Sequence, residues 1–230
     1  MAVINKLSSK LQANIETVVM TNINDNKQWQ LSEKFTTIES FIDNALNKLQ
    51  DDENKLRLGQ TSMPSSYNLV LQTDVDDGKR MFKGDVSIEL TIMENTETIM
   101  LHSKDQSIIN LEVFEIDGVT PVPLIKYSLY SPTDLLIIYF MNEAVAGSVY
   151  ILKISYTAVL GISNVGFFRT QYNMDGETRY LAATQFEPRR ARLAFPCYDE
   201  PSFKTSFTLS IIHHESYHAI SNMDGTRSLK

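Results

Sequence analysis

The chain has 230 residues, 43% of them hydrophobic, enough for a real core in one large all-β domain or two smaller ones. Its formal net charge of −7 argues against a nucleic-acid partner, because Lys and Arg are scattered apart from the cluster Arg189, Arg190 and Arg192. A lone cysteine, Cys197, excludes an intrachain disulfide and reads as a small buried residue.

The N-terminal stretch MAVINKLSSKLQ has no apolar signal region, and no segment approaches the roughly 18 apolar residues of a membrane span. As it stands the chain reads as soluble and untargeted, hence cytoplasmic. An extracellular or cell-surface location follows instead if the native N-terminus is missing. Leu7, Leu11, Ile15 and Val18, then Phe35, Ile38, Phe41 or Ile42, Ala45 and Leu49, recur every three to four residues and predict two amphipathic helices. Thr36 with Glu39 fits a capping box, and Lys48 suits the negative end of the second helix dipole. A charged linker bearing Gly59 and Pro64 follows, so the helical segment is expected over 1–63 and a second domain over 64–230.

From Tyr67 the period becomes two. Phe82, Gly84, Val86, Ile88, Leu90 and Ile92 alternate with polar residues, the signature of a strand with one buried face. Further strands are predicted over Tyr67–Val75, Ile99–Ser103, Ile109–Ile116, Leu135–Phe140, Val149–Val159, Gly166–Tyr172 and Arg179–Phe186, separated by turn signals such as DDGK, SPTD and NMDG. The pattern predicts a mostly β, antiparallel β-sandwich.

The last strand, Ser206–Ile212, runs into His214-Glu215-Ser216-Tyr217-His218, a literal match to the HExxH zinc-peptidase signature. In a zinc peptidase that motif lies on a helix, which places both histidines on one ion. Here the alternating, β-branched run after Pro201 predicts a strand continuing through the motif. His214 and His218 would then stand roughly 13 Å apart, too far for two Zn–N bonds of about 2.1 Å. The match is therefore read as accidental, with no metal ligand in this chain.

Three blocks near the end carry a resemblance: Thr184-Gln185-Phe186-Glu187-Pro188, Ala194-Phe195-Pro196-Cys197-Tyr198-Asp199-Glu200-Pro201, and Ala219-Ile220-Ser221-Asn222-Met223. In that order they closely resemble the end of the N-terminal domain of the aminopeptidase N family of zinc aminopeptidases. The resemblance extends more weakly back to about Tyr67 and implies a saddle-like β-sandwich. It also implies that the zinc of the complete family enzyme belongs to a separate catalytic domain that this chain lacks, leaving a fragment or truncated product. By matching position, Gln185 would border the first side-chain pocket and Glu187 would meet the free α-amino group of a peptide N-terminus. A carboxylate suits that role because a charge-assisted hydrogen bond to an ammonium rejects blocked N-termini. From the residues alone, Glu187 beside Arg189, Arg190 and Arg192 reads rather as a surface ion pair.

Asp199 and Glu200 alternate on an extended chain and so are read as hydrogen-bonding partners of their loop rather than an acid–base pair. His102, Trp29, Phe167-Phe168 and Tyr139-Phe140 are read as structural. Two functions follow. The first is a non-catalytic, substrate-framing domain of a zinc aminopeptidase that removes N-terminal residues from peptides. The second is a stand-alone β-sandwich that binds peptides or a protein partner. Either one exposes a face for a catalytic domain or protein partner.

Overall fold

In a computed structural model, residues 57–75 and 80–223 are described. The two expected helices, Trp29 and the expected linker as far as Leu56 lie outside these residues. The described part is mostly β. Ten strands run in chain order as β1 (Ser62–Thr73), β2 (Met81–Ile92), β3 (Thr96–His102), β4 (Ser107–Glu115), β5 (Leu124–Tyr130), β6 (Leu135–Ala144), β7 (Val149–Val159), β8 (Gly166–Met174), β9 (Glu177–Gln185) and β10 (Ser206–Ile212). They form a five-stranded sheet ordered β10-β1-β2-β7-β4, a three-stranded sheet β3-β6-β5 and a separate ribbon β8-β9.

Burial follows the alternation read from the sequence. On β2, Phe82, Val86, Ile88, Leu90 and Ile92 are buried, and they share one apolar cluster with Ile99, Leu101, Leu136 and Ile138 of the three-stranded sheet. Each fully buried aliphatic side chain there contributes about 1.5–3 kcal/mol. β6, central in its sheet, is buried on both faces from Leu136 to Phe140. Gly84 is required by a close approach: a Cβ on it would lie 2.1 Å from Cζ of Tyr156, its partner on β7. The Tyr156 ring crosses the vacant position and donates its hydroxyl to the Ala194 carbonyl at 2.8 Å.

Three expectations change. β5 is a strand where none was assigned: its apolar residues fall on both faces, and as an edge strand it is only half covered, so it lacks the period-two signal. The five-stranded sheet is mixed rather than antiparallel, because β10 runs parallel to β1, from Ser66↔Ser206 to Gln72↔Ile212. No hairpin joins those two strands, so nothing forces them antiparallel, and alternation reports burial without direction. β1 also begins at Ser62, five residues ahead of the Tyr67 at which the first strand was expected, and Leu58 is part of the core.

Among the described residues no helix is long and apolar enough to cross a membrane.

Candidate functional site

The ribbon β8-β9 closes through Asp175 and Gly176, both at positive φ (55° and 82°), which is the two-residue turn that matches strand twist. Its register pairs Gly166 with Gln185 at the other end. Gly166 has φ 69°, and a Cβ there would lie 2.7 Å from Cβ of Leu193. Only glycine lets the base of the ribbon settle on the segment that follows it.

Beyond Gln185 the chain leaves the ribbon. The half-buried Phe186 ring meets Phe195 edge-on with centroids 6.0 Å apart, an arrangement aromatic pairs favour. Glu187 to Arg190 form an exposed turn with a cis Glu187–Pro188 bond, closed by the Arg190 N–H donating to the Phe186 carbonyl at 2.7 Å. A short 3-10 turn, Ala191–Leu193, comes next.

Arg192 anchors that turn and is only 6% exposed. Its Nε donates to Asp199 Oδ2 at 2.9 Å, and its Nη1 lies 3.6 Å from Asp134 Oδ2. The Arg192 carbonyl accepts from the Lys104 N–H at 2.9 Å and Gln106 Nε2 at 3.0 Å. The block after it is tied to β3 and β1, besides the Tyr156 bond from β7 to Ala194. Cys197 exchanges backbone hydrogen bonds of 2.8 and 2.9 Å with His102 of β3. The Tyr198 N–H donates to the Tyr67 hydroxyl on β1 at 3.0 Å, and the hydroxyls of Tyr198 and Ser62 share a 2.6 Å hydrogen bond. Glu200 accepts from the Leu58 N–H.

Asp199 and Glu200 are thus hydrogen-bonding partners, as their adjacency suggested. Burial pushes the Cys197 thiol well up, so it stays protonated and is no nucleophile. Burial, with the Arg192 charge adding to it, lowers the His102 pKa to about 4.

Both candidate recognition residues, Gln185 and Glu187, are exposed. Among the described residues Glu187 makes no hydrogen bond or ion pair; Arg192 is committed to Asp199 and Asp134 instead. No local pattern marks Asp134, which reads only as part of the SPTD turn.

The HExxH match is not on a helix, and it is not on a strand either. β10 ends at Ile212, and the chain turns at Glu215-Ser216, with the Tyr217 N–H donating to the His214 carbonyl at 3.0 Å. His214 Nδ1 is 2.8 Å from the Ser216 hydroxyl and accepts the Ser216 N–H at 3.3 Å, so the ring is turned onto its own loop. The strand expected through the motif stops because its polar side chains bond locally instead. Among the described residues no group of three or more His, Cys, Asp or Glu is arranged to hold a metal ion.

Residues 63–230 match the peptidase M1 N-terminal domain. The chain is similar to the thyrotropin-releasing hormone-degrading ectoenzyme of Rattus norvegicus, 36% identical over 169 residues covering 74% of this chain and 16% of that protein. It is similar to endoplasmic reticulum aminopeptidase 1 of Rattus norvegicus, 36% identical over 181 residues, 76% of this chain and 19% of the relative. Aminopeptidase N of Rattus norvegicus is 33% identical over 178 residues, 74% of this chain and 18% of the relative. The chain therefore spans less than a fifth of the length of these relatives.

Proposed function

The chain belongs to the peptidase M1 family through its N-terminal domain, and from that premise we propose that it frames peptide N-termini for a zinc aminopeptidase without doing the chemistry itself. The two larger sheets face one another in this reading as the family's saddle-like β-sandwich, and the β8-β9 ribbon delivers the recognition edge. Glu187 holds the substrate's α-ammonium, and Gln185 borders the pocket for the first side chain. The zinc that supplies the hydrolytic water belongs to the catalytic portion of the complete enzyme. Among the described residues no group fits that metal, and His214 is turned onto Ser216 within a loop.

One observation carries the reading: Glu187 is an exposed carboxylate with no partner among the described residues, on a turn held from both sides. A free carboxylate on a braced backbone is ready to accept an ammonium donor without first breaking an internal pair. A second feature supports a covered face. Phe207, Leu209 and Ile212 of β10 are exposed, as are Ile220 and Met223 beyond it, which suits a catalytic domain or a protein partner lying over them.

The test uses a form of the protein that includes the family's catalytic portion. Glu187→Ala should cost about 2–4 kcal/mol in kcat/KM with an unchanged melting temperature, because positioning over the reacting centre is lost and packing is not. Glu187→Gln should fall between wild type and Ala, and Gln185→Ala should mainly change preference for the first side chain. A lowered melting temperature with unchanged kinetics would end the recognition claim.

A further inference from the structure

The turn that presents Glu187 also presents two cations. Glu187, Arg189 and Arg190 lie within one four-residue exposed turn closed by the Arg190 N–H and the Phe186 carbonyl. Neither Arg189 nor Arg190 makes a side-chain hydrogen bond, ion pair or ring contact with a described residue, and neither neutralises Glu187. Arg190 also stands at the N-cap of the 3-10 turn without a side-chain hydrogen bond to it. The adjoining cation, Arg192, is by contrast buried and doubly paired. Two unpaired cations beside the carboxylate are unexpected in a chain with a net charge of −7, and no packing role accounts for them.

Their electrostatic effect on a ligand follows from position. A peptide bringing only an ammonium to Glu187 gains the contact with that carboxylate against partial repulsion from two cations in the same turn. A peptide that also carries a carboxylate within its first two residues converts that repulsion into attraction. We propose that Arg189 and Arg190 make this edge selective for peptides with an acidic side chain next to the free N-terminus. The inference rests on Glu187 as the ammonium acceptor and adds the substrate class.

The chain itself allows the test. Backbone amide shifts of Gln185–Arg190 are followed by NMR during titration with Leu-Glu-amide, its neutral isostere Leu-Gln-amide, and N-acetyl-Leu-Glu-amide. At low ionic strength the acidic peptide should bind about two- to five-fold tighter than the neutral one, the range expected of exposed charge pairs. The preference should fade in about 1 M salt, where screening acts over roughly 3 Å. Arg189→Ala/Arg190→Ala should abolish the preference while leaving Leu-Gln-amide no weaker. Glu187→Ala and N-acetylation should each weaken binding. Equal affinities for the two free peptides, with Glu187→Ala still weakening both, would overturn the selectivity and leave the ammonium role standing. Indifference to Glu187→Ala and to acetylation would overturn both, as would the absence of any shift at the highest soluble peptide concentration.

Discussion

At the scale of single residues, the groups that hold the proposed recognition edge are distinct from those it would offer to a ligand. His102 is 2% exposed, its Nδ1 has no hydrogen-bond partner, and Arg192, Asp199, Asp134 and Arg189 are the charges that act on it. The folded state keeps its ring neutral down to about pH 4, whereas the unfolded chain takes up a proton near 6.5. Between those values the unfolded state binds more protons, so this group's contribution is complete above pH 6.5 and is lost as pH falls towards 4. Urea unfolding should show a loss of about 2 kcal/mol from pH 7 to pH 5, and His102→Asn should flatten that slope. An unchanged slope in the variant would remove His102 from the account. Arg192→Ala should be more damaging, at about 3 kcal/mol, because it strands the partly buried Asp199 carboxylate, whereas Asp134 keeps Lys104 at 3.1 Å.

At the scale of elements, the legible strands are those with one buried face. β2 could be read residue by residue because Phe82 through Ile92 alternate against a core that takes every second side chain. β5 could not, since Leu124, Ile125, Tyr127, Leu129 and Tyr130 put apolar groups on both sides of an edge. The parallel pairing of β10 was invisible because direction depends on a long connection, not on composition. The roles proposed for Gln185 and Glu187 come only from family resemblance: an exposed glutamate among arginines has no local mark that separates recognition from surface pairing. The bracing of their turn by Phe195, Leu193 and Arg190 depends on packing that no spacing encodes. One element-scale consequence concerns β2 and β7. Gly84→Ala should force the Tyr156 ring aside and break its bond to Ala194, a destabilisation of about 2–3 kcal/mol read by thermal melting. Tyr156→Phe, which removes only the hydroxyl, should cost about 1 kcal/mol.

At the scale of the whole molecule, the described β fold takes in residues ahead of Tyr67, where the first strand was expected. Leu58 is in the core, its N–H bonds Glu200, and Ser62 bonds Tyr198. A fragment starting at Arg57 should therefore be more stable than one starting at Pro64 by about 2–4 kcal/mol, combining one buried leucine with lost hydrogen bonds. Equal stability would place those contacts outside the fold. The same tie sets the AFPCYDEP block against β1, β3 and β7, so the exposed turn is presented by the domain as a whole. On that turn Glu187 is proposed to recognise a free α-ammonium. The most direct measurement is the affinity of the chain for leucinamide against 4-methylpentanamide, which has the same shape without the amine, in wild type and Glu187→Ala. Wild type should favour leucinamide by about two- to five-fold at low salt and the variant should show no preference; a preference that survives the loss of Glu187, or none in wild type, would contradict it.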